Sequence, residues 1–132
     1  MKRIAHLILG MLLGALLASF AFAYSPVVLS PQDAVKLSPQ YYKVLLENDQ
    51  VRVFEYRLKA GEKELMHTHP AGVLYSFGDA KLRISYPDGK TESIVATGGE
   101  THWRGPITHA LENIGTSEAH ALVMEPKSQC TR

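Results

Sequence analysis

Cysteine is nearly missing from this chain: Cys130 is the single one among 132 residues. An internal disulfide is therefore excluded, and stability has to come from core packing or a bound metal. The surroundings of Cys130, Lys127-Ser128-Gln129 before it and Thr131-Arg132 after it, are polar and read as a tail with a free terminal thiol. An excess of charge is missing as well, with 14 Lys and Arg against 13 Asp and Glu. No basic stripe is present, which excludes nucleic acid as the natural partner. Internal repeats and a long helical periodicity are also lacking.

There is one long apolar run, from Ile4 to Ala23, preceded by Lys2 and Arg3 and closed by Ala21-Phe22-Ala23. A short positive segment, an apolar stretch and a small-x-small end make a secretory signal peptide over residues 1–23, with the mature chain starting near Tyr24. The competing reading is an uncleaved anchor, since about 20 apolar residues can span a bilayer. Cleavage implies a periplasmic or secreted protein with no stable membrane span. Loss of Lys2 and Arg3 would leave 12 basic against 13 acidic side chains in about 109 residues, a near-neutral chain sized for one domain.

Residues 24–40, with Pro26, Pro31 and Pro39, read as an extended lead-in, with one short helical turn near Pro31–Val35. The remainder reads as β. Tyr41–Leu46, Val51–Leu58, Val73–Phe77, Lys81–Tyr86, Lys90–Val95, His102–Arg104, His109–Asn113 and Ala119–Glu125 are short runs separated by turn residues. Pro87-Asp88-Gly89 is a hairpin turn, and Leu82, Ile84 and Tyr86 alternate with Lys81, Arg83 and Ser85 across it. Seven or eight short strands spaced this way predict a small β-sandwich or barrel over residues 41–127, with 128–132 as the polar tail.

Chemistry is carried by the histidines. His67 and His69 are two residues apart, and Pro70 disfavours helix for the residue before it. In an extended segment both side chains point the same way, about 6–7 Å apart. Two imidazoles so placed can share one metal ion. His109 and Asn113, four apart behind Gly105-Pro106, supply a second half.

The two halves resemble the motifs of the cupins. Gly61-x5-His67-x-His69 is similar to the start of the first cupin motif, and Gly98-x10-His109-x3-Asn113 to the frame of the second. The resemblance runs from about Leu45 to Lys127 and is to the short single-domain bacterial cupins. It implies a single-domain, all-β jelly-roll barrel with a metal on its axis. The chain departs from the pattern in one chemical respect. Where the first motif carries a glutamate ligand, after three or four intervening residues, Val73 and Leu74 stand here. Arg104 and Pro106 also replace the usual proline and glycine of the second motif.

The resemblance therefore implies a ligand set of His67, His69 and His109, three neutral imidazoles around one divalent transition metal. Imidazole does not choose among iron, manganese, zinc, nickel and copper; the resemblance points to iron(II) or manganese. Glu64, Glu100 and Glu112 are candidates to replace the missing carboxylate. Glu100 ranks first among them, because it shares a strand face with His102, itself a candidate further ligand or proton shuttle. His120 reads as a packed or rim histidine. Asn113 would support the strand that carries His109, and Tyr75 and Trp103, with Phe77, Tyr86 and Met124, are candidates to line a pocket. Three functions fit: a metal-dependent dioxygenase or isomerase on a small anionic or chelating molecule, a non-catalytic ligand- or metal-binding protein, or a metal-free domain acting through its surface. The small cupins also imply a homodimer, with the Tyr41-Tyr42 strand as the candidate edge.

Overall fold

The computed structural model describes residues 32–127. The expected signal peptide and the tail carrying Cys130 lie outside them. Among the described residues no helix is long and apolar enough to cross a membrane.

A short helix, α1 (Ala34–Leu37), starts at Asp33, whose side chain accepts from the Lys36 amide at 3.3 Å. A 3₁₀ turn, Pro39–Tyr41, leads into the nine strands of the described residues: β1 (Tyr42–Glu47), β2 (Val51–Leu58), β3 (Lys63–His69), β4 (Gly72–Ser76), β5 (Ala80–Ser85), β6 (Thr91–Ala96), β7 (Thr101–Arg104), β8 (Ile107–Asn113) and β9 (Ala119–Pro126). The strand absent from the sequence reading is β3, the segment that carries both histidines of the first motif. Leu65 and Met66 at its centre are exposed, so its alternation is broken.

The strands form two antiparallel sheets, β1-β2-β9-β4-β7 and β3-β8-β5-β6. They do not close into the expected barrel. The reason lies in which strand edges are taken. Both edges of β2 are occupied by β1 and β9, so the chain leaving β2 must cross to the other sheet to place β3. Both edges of β4 are held by β9 and β7, and both edges of β8 by β3 and β5, which forces the same crossing after β4 and β7. The result is an all-β pair of sheets packed face to face, with β1, β7, β3 and β6 left as edges. The candidate dimer strand, β1, is one of those edges.

Alternation sets what lies between the sheets. On β2, Arg52, Phe54, Tyr56 and Leu58 turn inward and are buried. Ala119 and Val123 of β9 and Ala80, Leu82 and Ile84 of β5 face them. The Pro87-Asp88-Gly89 hairpin joins β5 to β6 as expected, with Gly89 at φ 83°, a conformation that favours glycine. Across the outer face of the larger sheet, Leu46, Val53, Met124, Val73 and Trp103 stand in register, one from each strand.

Candidate metal centre

Three imidazoles meet between the sheets. His67 and His109 are direct cross-strand partners on β3 and β8, and His69 follows two residues on, on the same face. Ring centroids are 4.8 Å apart for His67 and His69, 4.7 Å for His67 and His109, and 5.7 Å for His69 and His109. All three are buried, and one ligand nitrogen from each lies within 4.8 Å of the others.

The hydrogen bonds fix how two of the rings present themselves. His67 Nδ1 lies 2.7 Å from the Leu65 carbonyl, which can only accept, so Nδ1 carries the proton and Nε2 is left with its lone pair. His69 Nδ1 donates in the same way to Glu125 Oε1 at 2.7 Å. His67 Nε2 and both nitrogens of His109 are buried without a hydrogen-bond partner. Buried polar atoms are normally satisfied. His69 Nε2 has one long contact, 3.5 Å to the Tyr42 hydroxyl, and three imidazole nitrogens this close together are what a divalent transition metal takes up. The residues fit such an ion, and His67, His69 and His109 would hold it.

Two carboxylates stand behind the cluster. Glu64 is brought in by a β-bulge: three steps along β3 from Glu64 to His67 match two along β8 from Leu111 to His109. One extra residue turns Glu64 and His67, which strict alternation would place on opposite faces, to the same side. Glu64 Oε1 then lies 3.4 Å from His67 Nδ1, and the Tyr56 hydroxyl donates to Glu64 Oε2 at 3.1 Å. Burial raises the Glu64 carboxyl to about 7, against the lowering effect of the Tyr42, Tyr56 and Ser38 hydroxyls.

The second carboxylate, Glu125, was not singled out from the sequence. It accepts from His69, from Arg52 Nη2 at 2.6 Å and from Arg104 Nη2 at 3.3 Å. Arg52 in turn reaches Asp33 at 2.8 Å, which ties α1 to the site. Burial alone would raise Glu125, but the His69 and Arg52 donors outweigh it and hold the carboxylate below its ordinary range. Gly72 of β4 makes room beside it: a Cβ there would lie 2.6 Å from the Met124 carbonyl and 3.3 Å from Glu125 Cγ. A sequence signal for Glu125 did exist, because it continues the inward face of Ala119, Ala121 and Val123.

The other candidates lie apart from the three imidazoles, though Tyr86, His102 and His120 line the cavity that opens beside them. Glu100 and His102 pair with each other at 3.2 Å, both more than half exposed. Glu112 is held on the surface by Lys63 and Arg83. Tyr75 and Trp103 point outward from the larger sheet, as do Phe77 and Met124, and do not line the space between the sheets. His120 bonds Glu55 at 2.6 Å and stacks on Phe77. The Asn113 amide donates to the Leu58 and Ser117 carbonyls at 2.8 Å each and accepts from the Gly115 amide, closing the turn between β8 and β9.

Protonation gives a first expected result. Burial lowers His67 to about 4, with its Leu65 contact opposing, and lowers His109 to about 3, with the neighbouring His67 and His69 adding to it. Both groups bind fewer protons folded than unfolded, so the metal-free protein loses stability as pH falls from the ordinary histidine value of 6.5 through those values. Glu64 acts oppositely between 4.5 and about 7, offsetting one of the two histidines there. The steepest loss is therefore expected below pH 4.5. Urea midpoints measured across pH 7 to 4 on metal-free protein check this, and a midpoint that rises on acidification would contradict it.

Comparison with known proteins places the fold. A cupin domain from Bordetella pertussis Tohama I superposes with a TM-score of 0.61 at 22% identity, covering 76% of this chain and 99% of that one. The fold is that of a cupin domain. An RmlC-like cupin with a double-stranded β-helix fold from Methanocaldococcus jannaschii gives 0.52 at 15% identity, over 65% of this chain and 78% of that one. No protein-family model matches the chain, and no curated protein matches it. The chain thus combines a cupin fold with a buried three-histidine cluster consistent with metal binding.

Proposed function

We propose that this cupin binds one divalent transition metal through His67, His69 and His109 and acts on a small molecule held between its sheets, as a metal-dependent oxygenase. The observation that carries the proposal is the convergence of three buried imidazoles, with His67 Nε2 and both His109 nitrogens unpartnered. An ion held by three neutral ligands keeps its full charge and open positions, and supplies Lewis acidity together with, for iron(II) or manganese, redox chemistry.

Oxygenation is put first because an ion held by three neutral imidazoles would keep open positions for oxygen and substrate together. A cavity of about 460 Å³ opens beside His69 and His109, and neither Glu64 nor Glu125 lines it. Both buried carboxylates are engaged behind the histidines, but Glu92, His102 and His120 line the cavity, so a protein base is within its walls and isomerisation is the second reading. The test is oxygen uptake by iron-loaded protein with a panel of thiols, diketones and hydroxy acids. Uptake with one compound, lost in His67→Ala, is the expected result. No uptake with iron bound would sink the oxygenase reading and leave a non-catalytic binding protein.

Export and pairing of two copies belong to the same proposal. They are supported by the Ala21-Phe22-Ala23 sequence and by the edge position of β1 beside an apolar row on the outer face. Cell fractionation and sedimentation equilibrium read them; protein found only in the cytosol, or only as monomer, would count against each in turn.

A further inference from the structure

The cavity beside the histidines is walled mainly by apolar side chains, among them Leu74, Leu82, Leu111 and Val123. Its volume, about 460 Å³, falls in the ordinary range for small-molecule sites. One cation lines it close to the cluster: Arg104, at the end of β7, on the position opposite Gly72. The Arg104 side chain is 16% exposed, and its Nε is buried without a partner.

The neighbouring acids satisfy this guanidinium only in part. Glu125 makes its short contacts with Arg52, at 2.6 Å, and with His69, at 2.7 Å. Arg52 also holds Asp33 at 2.8 Å, so the two nearby acids are both committed to it. Arg104 Nη2 donates only over long distances, 3.3 Å to Glu125 Oε1, an oxygen already bonded to His69, and 3.4 Å to the Pro70 carbonyl. A guanidinium on a cavity wall whose protein contacts are long favours a planar anion, with a fork geometry that lysine cannot reproduce.

We infer that the cavity takes a small monocarboxylate with an apolar body, its carboxylate on Arg104 beside the histidine cluster and its hydrocarbon between the sheets. The inference rests on the proposed small-molecule site and names the chemical class of its ligand. Arg104 is thereby the residue that selects an anion, and the departure from the usual proline at this position acquires a chemical purpose.

Titration calorimetry with octanoate, acetate and methyl octanoate tests it, on protein as purified and on chelator-treated protein. Octanoate is expected to bind, with acetate and the ester far weaker. Arg104→Gln is expected to weaken octanoate roughly 10- to 100-fold, the effect of removing a charged hydrogen-bond partner, and to leave the ester unchanged. Arg104→Lys, which keeps the charge, is expected to lie between wild type and Arg104→Gln, and it carries the test if the glutamine variant fails to fold. Equal octanoate affinity in wild type and variants, no octanoate binding at all, or equal binding of acid and ester would each overturn the inference. Zinc uptake measured on the same samples keeps the two readings apart: zinc without octanoate sinks only the carboxylate, and Arg104-dependent octanoate without zinc sinks only the metal.

Discussion

Replacing Glu125 with alanine lowers the stability of the metal-free protein by about 3–5 kcal/mol, the scale on which buried ion pairs fail when one partner is removed. The size follows from what the carboxylate compensates. Its side chain is 2% exposed and accepts from Arg52, from Arg104 and from His69 Nδ1. Alanine leaves two guanidinium groups, 11% and 16% exposed, with Asp33 as the remaining acid on Arg52. It also frees the His69 ring to take either tautomer. Glu125→Gln separates the two roles, because a side-chain amide oxygen can still accept from His69 Nδ1 but carries no charge. Metal affinity is therefore expected to fall about 10- to 100-fold in the alanine variant, the usual effect of losing an outer-shell partner, and less in the glutamine variant, while both lose stability. Urea unfolding and competitive metal titration read the two effects. A loss under about 1 kcal/mol would mean that the arginines relax to water at little cost.

Removing a ligand goes further. His109→Ala should weaken metal binding more than a hundredfold, beyond the range of about 10–100-fold for residues that only orient a ligand. Two imidazoles remain, on adjacent positions of one strand face, and they span only one side of the ion. The same substitution should raise the acid tolerance of the metal-free fold, since His109 is neutral in the folded protein through burial and through its two histidine neighbours. Weaker metal binding together with a flatter stability profile below pH 6.5 is the combined signature; a merely misfolded variant would lose stability at every pH. Metal affinity within tenfold of wild type would remove His109 from the ligand set.

How much of this was legible in the sequence depends on the range over which each feature is encoded. His67 and His69 could be placed together because strand side chains alternate with a period of two, a rule that needs two residues of context. His109 came in through its spacing to Gly98 and Asn113, and the structure sets it directly across from His67. Glu64 could be named as a candidate, but its position behind His67 depends on the extra residue in β3. A bulge is a property of two strands together, so one strand's pattern does not show it. Glu125 was legible in principle, two residues beyond Val123 on an inward face, yet a charge next to Pro126 at a strand end reads as solvated. The closed barrel failed for a less local reason. Whether β3 returns to β2 or crosses to the other sheet is decided by β9, more than fifty residues later in the chain, which occupies the second edge of β2.

The most direct test is elemental analysis of the protein purified without added metal or chelator, paired with melting before and after metal removal. One divalent transition metal per chain is expected, with a melting temperature that drops on chelation and returns on reloading. At free metal about 100 times the dissociation constant, the bound ion should add about 2.7 kcal/mol of stability. Protein that arrives without metal, takes up none of iron, manganese, zinc, nickel or copper, and melts at the same temperature with and without them would contradict a metal centre at His67, His69 and His109.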